Sequence, residues 1–116
     1  MNRSTRRAAI AVLTVVTAII HLVLVFPQGI PGGIPFLLNG VGYLVLLALL
    51  WFKPSFVAGR EKLLYYAFIG FTAITVVAYF AVNGGASFSN PVGLADKVME
   101  VVLMALLWQD MQAEAA

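Results

Sequence analysis

Three ionisable residues, Asp96, Lys97 and Glu100, sit close together in the otherwise apolar stretch NPVGLADKVMEVVLMALLW, Asn90 to Trp108. No other stretch long and apolar enough to span a membrane carries a charge. Ionised groups at membrane depth are costly unless paired or hydrated, so they mark a functional site or a polar lock between helices. Lys97 and Glu100 are spaced i, i+3 on a helix, close enough to pair. Burial disfavours charged forms, which makes both candidates for reversible protonation. The competing reading is a neutralised pair that fixes helix register and adds no chemistry. Asp96, near a helix N-terminus, is favoured by the dipole and reads as part of the site or as a hydrated interfacial group. His21 is the single histidine: a proton relay to Glu100, a lone axial ligand, or a hydrogen-bonded packing residue. Asn39 and Tyr43, at i and i+4, line a ligand cavity or bond across helices.

The absences narrow the chemistry. With no cysteine, disulfides, thiolate catalysis, Fe–S clusters and cysteine-type zinc sites are excluded. One histidine excludes a multi-histidine metal site or a bis-histidine haem within one chain, so neither a metal nor a cofactor is expected. There is no nucleophile elbow, HExxH, P-loop or GxGxxG. A carboxylate, a lysine and a histidine in a wet pocket suit acid–base chemistry only generically. The expectation is a protein that is not an enzyme.

The elements that position these residues follow from composition. In 116 residues, 62% are hydrophobic and 10% charged, against roughly 25% charged in soluble domains. A single all-α membrane domain over residues 1–116 is the reading, with spans at about 8–26, 36–52, 63–82 and 91–108 at roughly 1.5 Å of rise per residue. The first apolar run is longer than a signal-peptide core and no small-x-small cleavage site follows it, so it reads as a retained span. Pro27 to Pro35, with three prolines and three glycines, predicts a non-helical connection. Asn90 predicts an N-cap with Pro91 as first helical residue. The tail from Gln109 predicts a short, frayed end. Trp51, Trp108, Tyr65 and Tyr66 read as interface anchors.

Arg3, Arg6 and Arg7 precede span one, and Lys53, Arg60 and Lys62 separate spans two and three, while the other two loops carry no charge. That asymmetry predicts an antiparallel four-helix transmembrane bundle with both termini cytoplasmic, in a plasma (inner) membrane of prokaryotic type. The net charge of +2 reflects this topology signal and not a nucleic-acid footprint. From the outer ends, Asp96, Lys97 and His21 lie roughly 8–9 Å deep, Glu100 roughly 13 Å, Asn39 and Tyr79 roughly 6 Å and Tyr43 roughly 12 Å. Thr14, Thr17 and His21 share one stripe of the first helix, and Thr72, Thr75 and Tyr79 one stripe of the third. Lipid cannot satisfy such stripes, so they point inward. The expected site is one polar cluster in the outer half of the bundle: His21, Asn39, Tyr43, Tyr79, Asp96, Lys97 and Glu100. The inner half reads as nearly pure Leu, Val, Ala and Phe.

The segments HLVLVFP, GIPFLLNGVGYL and GLADKVMEVVLMALLW resemble those of small uncharacterised four-span proteins of bacteria and archaea. The resemblance covers most of the chain and implies the fold, with no activity attached. Size and topology alone are similar to the small multidrug-resistance transporters, whose pump mechanism uses a glutamate in the first helix. Here that helix holds Thr14, Thr17 and His21 but no acid, and Glu100 lies on the fourth, so no residue role carries over. The functional expectation is a polar ionisable site that binds a small molecule or ion, with proton coupling. The alternative is a non-catalytic accessory or structural subunit of a larger membrane complex. Expected partners are the lipid bilayer and either a homo-oligomer or such a complex, with no nucleic acid.

Overall fold

The structure, a computed structural model, describes residues 1–115 and is all-α, without strands among those residues. Four long helices, α1 (Arg3–Val23), α3 (Ile34–Phe52), α4 (Glu61–Asn83) and α5 (Pro91–Ala115), are joined by a single turn, α2 (Val25–Gln28), a loop, and a 3-10 segment at Gly84–Ser89. Three of them are long and apolar enough to cross a membrane: α1 continued through α2, α3, and α4 continued into the 3-10 segment. The five charged residues of α5, Asp96, Lys97, Glu100, Asp110 and Glu114, separate it from that group. α1 packs against α3 and α5, and α4 packs against the same two, so α3 and α5 face each other across the core.

Helix ends depart from the sequence reading at three places. α1 begins at Arg3, not near Ala8, because the Asn2 side chain accepts the Thr5 amide at 2.8 Å and caps it. Polarity marks where a span leaves the membrane, not where the helix stops. The segment expected to be non-helical is helical at first: α2 runs through Pro27, which loses little in a first turn whose amides lack helical partners. The tail expected to fray is helical to Ala115, held by the buried Asp110 and Met111. At the head of α5 the expected cap is present, with Asn90 Oδ1 accepting the Gly93 amide at 3.1 Å.

Each long helix turns one stripe inward. On α1 the buried residues are Arg6, Ile10, Thr14, Thr17, Ala18 and His21; on α4 they are Leu64, Tyr65, Phe68, Thr72 and Thr75. The interior is layered along the helices. A polar layer around Glu100 and an apolar belt of Phe68, Leu103, Leu107 and Leu50 are followed by a second polar layer around Asp110. α1 and α3 approach closely at Gly40, where an added Cβ would lie 2.6 Å from Leu22 Cγ and 3.1 Å from the Ala18 carbonyl oxygen. Backbone on one side leaves little room to adjust. Gly40→Ala is therefore expected to cost about 1–3 kcal/mol, as overpacking does, read as a lower melting temperature in detergent; wild-type melting would show that the α1–α3 seam gives way.

Candidate functional site: a buried ionisable cluster

Most of the expected site residues converge. Lys97 Nζ lies between two carboxylates, donating to Glu100 Oε1 at 2.5 Å and lying 3.1 Å from Asp96 Oδ2. Their placement follows from α5: Lys97 and Glu100 are one turn apart, and Asp96 borders the same face. From α1, Thr17 Oγ1 donates to Asp96 Oδ1 at 2.5 Å. From α3, across the core, the Tyr43 hydroxyl donates to Glu100 Oε2. The cluster is buried: Glu100 and Tyr43 are fully enclosed, and Lys97, the most open of the three charged residues, is 7% exposed.

His21 completes the cluster from α1. Its Nδ1 lies 2.7 Å from the Thr17 carbonyl oxygen. A carbonyl can only accept, so Nδ1 carries a proton, and in the neutral ring the lone pair falls on Nε2. That nitrogen is 3.9 Å from Asp96 Oδ2. A ligand atom each from His21, Asp96 and Glu100 lie within 4.8 Å of one another, a spacing that suits a cation. The Lys97 ammonium already bridges the two carboxylates, so a metal ion would have to displace it.

Two expected members play lesser parts. Asn39 Oδ1 accepts from Thr75 Oγ1 at 2.8 Å, tying α3 to α4 instead of lining a cavity between ionisable groups. The Tyr79 hydroxyl donates to the Ser87 carbonyl at 2.7 Å, while its ring lies under Lys97 Nζ at 5.2 Å from the centroid. Tyr79 is thus a wall that ties the 3-10 segment to the Lys97 side of the cluster. Thr14, Thr72 and Thr75 bond their own helices four residues back, the ordinary role of a threonine hydroxyl in such helices.

Thr17 is the missed member of this cluster; its stripe is visible in the sequence, but its partner is not. A second cluster was missed entirely. At the other end of α5, Asp110 is fully buried, accepting from Arg6 Nε at 2.7 Å and from the Tyr65 hydroxyl at 2.5 Å. Arg7 Nη1 stands 3.6 Å from the same carboxylate. The half expected to be purely apolar therefore holds a polar layer, and Tyr65 is a core hydrogen-bond donor instead of an interface anchor. The signal was periodic: Glu100, Leu103, Leu107 and Asp110 continue one inward stripe, as do Arg6, Ile10, Thr14, Thr17 and His21. The chain matches no protein family, no curated protein and no solved structure, so the site is interpreted from its own geometry.

Proposed function

We propose that this is a multi-pass protein of a plasma (inner) membrane, an antiparallel four-helix bundle with cytoplasmic termini, whose outer cluster binds and exchanges a proton or another small cation. Support for the membrane comes from an inverted surface: Val12, Ile19, Leu38, Ile74, Val77 and Val98 are exposed, while the charges of Asp96, Glu100 and Asp110 are buried. The long axis of 42 Å matches the roughly 40–45 Å of a bilayer with its headgroups. α5 is the fourth span, at about 37 Å of helix. Contacts of Arg6 with Asp110 and of Thr17 with Asp96 favour opposite directions for α1 and α5. The end with Arg3, Arg6, Arg7, Lys53, Arg60 and Lys62 is the cytoplasmic one by the positive-inside rule.

The cation reading is carried by a charge count in a buried place: two carboxylates, Asp96 and Glu100, share one ammonium. With every group ionised and His21 neutral, one negative charge is left over. An uncompensated charge at membrane depth costs about 2.5–3.5 kcal/mol even on the mildest scales. An interhelical hydrogen bond returns only about 0.6–2 kcal/mol. The deficit is removed by one bound proton, on a carboxylate or on His21 Nε2, or by a small cation. We take it as a binding protein and not an enzyme: the carboxylates are engaged by Lys97, Thr17 and Tyr43, and His21 Nε2 is left free to take a proton.

A structural lock is the second reading, favoured by the way the same bonds join α1, α3 and α5 in tight packing. Glu100→Gln separates the two, since Asp96 and Lys97 alone are balanced. On the proposed function the variant folds within about 1 kcal/mol of wild type, the range of an isosteric change that leaves no unpaired charge. The C=O stretch of a protonated carboxyl, expected in wild-type infrared spectra, is then lost. A wild-type cluster that neither exchanges a proton nor binds a small cation, or a variant that fails to fold, makes the cluster a lock.

A further inference from the structure

The second polar layer carries the opposite imbalance. Arg6 and Arg7 face the one carboxylate of Asp110, and both of its oxygens are already engaged, by Arg6 and by Tyr65. Arg7 Nη2 donates to the Leu50 carbonyl at 3.3 Å, and Nη1 makes no hydrogen bond. One positive charge is left over. The Arg7 guanidinium stacks 5.2 Å over the Trp51 ring, and its side chain retains 15% exposure. Trp51 also lines an open groove of about 290 Å³ between α1 and α3, together with Ala11, Leu44, Leu47, Ala48 and Phe52. Ala11 lies one helical turn from Arg7 on the same face of α1. An apolar trough open to the side, with an uncompensated guanidinium beside it, matches a lipid whose acyl chain and charged headgroup are joined.

We propose that the α1–α3 groove is a binding site for an anionic phospholipid, with an acyl chain along Leu44, Leu47 and Ala48 and the headgroup phosphate at Arg7. The inference rests on the membrane reading above. Charge complementarity selects the occupant: a headgroup with one net negative charge neutralises the surplus that Asp110 leaves. A zwitterionic lipid fills the trough without doing so. Basic groups between membrane helices on the cytoplasmic side favour such headgroups generally.

Trp51 is the reporter, because Trp108 is the only other tryptophan. In a Trp108→Phe protein in detergent, quenching by phosphatidylglycerol with brominated acyl chains is compared with quenching by phosphatidylcholine bearing the same chains. The expected result is about fivefold tighter apparent binding of phosphatidylglycerol, the worth of one basic residue at an anionic headgroup. Arg7→Gln is expected to erase the difference, and Arg7→Lys to keep most of it. Equal quenching by the two lipids overturns the site, and that comparison leaves Arg7 intact, so it decides even where the variants do not fold. A preference that survives Arg7→Gln overturns it as well. Release of the chain from membranes by alkaline carbonate without detergent would overturn the membrane reading and the site together; equal quenching of a detergent-dependent protein removes the site alone.

Discussion

Lys97→Met is expected to destabilise the protein by about 3–5 kcal/mol, as removal of one partner from a buried ion pair does. Methionine keeps most of the apolar stem and its packing, so the loss isolates the charge. Without the ammonium, Asp96 and Glu100 are two buried carboxylates whose nearest remaining donors are Thr17 and Tyr43. Neutral hydroxyls do not balance two negative charges. The second substitution of a cycle tells the pair apart from general disruption. Adding Glu100→Gln to Lys97→Met leaves a single carboxylate with His21 beside it, so the double variant is expected to recover about 2–3 kcal/mol. The measurement is unfolding of the purified variants in detergent. Wild-type melting of Lys97→Met, or simple additivity in the double variant, would mean that the ammonium is not the counter-ion of this cluster.

How far the sequence reached is clearest on α5. Asp96, Lys97 and Glu100 announce themselves because a charge in an apolar run has few explanations, and the i, i+3 spacing is enough to pair two of them. That His21 approaches them from α1 is also legible, through matching depths on helices running in opposite directions. What the sequence does not carry is which neighbour each group selects. Asn39 and Glu100 lie at different heights, and Asn39 turns to Thr75 on α4 instead. The Asp110 layer was hidden for a different reason. Arg6, Arg7 and Asp110 lie where a polar residue is expected to meet water, so composition explains them without a partner. Only the continuation of both inward stripes past the spans, and the side chain of Tyr65 from a third helix, make that end an interior.

Asp110→Asn is expected to be as damaging as Lys97→Met, at about 3–5 kcal/mol, because it leaves two guanidiniums without a buried counter-charge. Asparagine keeps the shape and one acceptor, so Tyr65 or Arg6 retains a partner, and the missing quantity is charge. The other ion pair at this end does not compensate. Arg3 and Glu114 meet at 2.8 Å, but their side chains are 60% and 26% exposed, and such a surface pair is worth about 0–1 kcal/mol. Arg6 and Asp110 are 104 residues apart, so their bond joins the first turns of α1 to the last turns of α5. Changing both partners, Arg6→Gln with Asp110→Asn, returns the layer to one unbalanced guanidinium, that of Arg7, the same surplus as in wild type, and is expected to restore most of the stability. Arg7→Gln alone removes the surplus charge with only a long bond to the Leu50 carbonyl and the stacking on Trp51, and is expected to lie within about 1 kcal/mol of wild type. Thermal unfolding of the set in detergent tests the ordering: Asp110→Asn lowest, the double variant between, Arg7→Gln near wild type. If Asp110→Asn melts with wild type, water reaches this layer and balances the guanidiniums. The surplus charge assigned to Arg7 would then have no purchase on a lipid headgroup either.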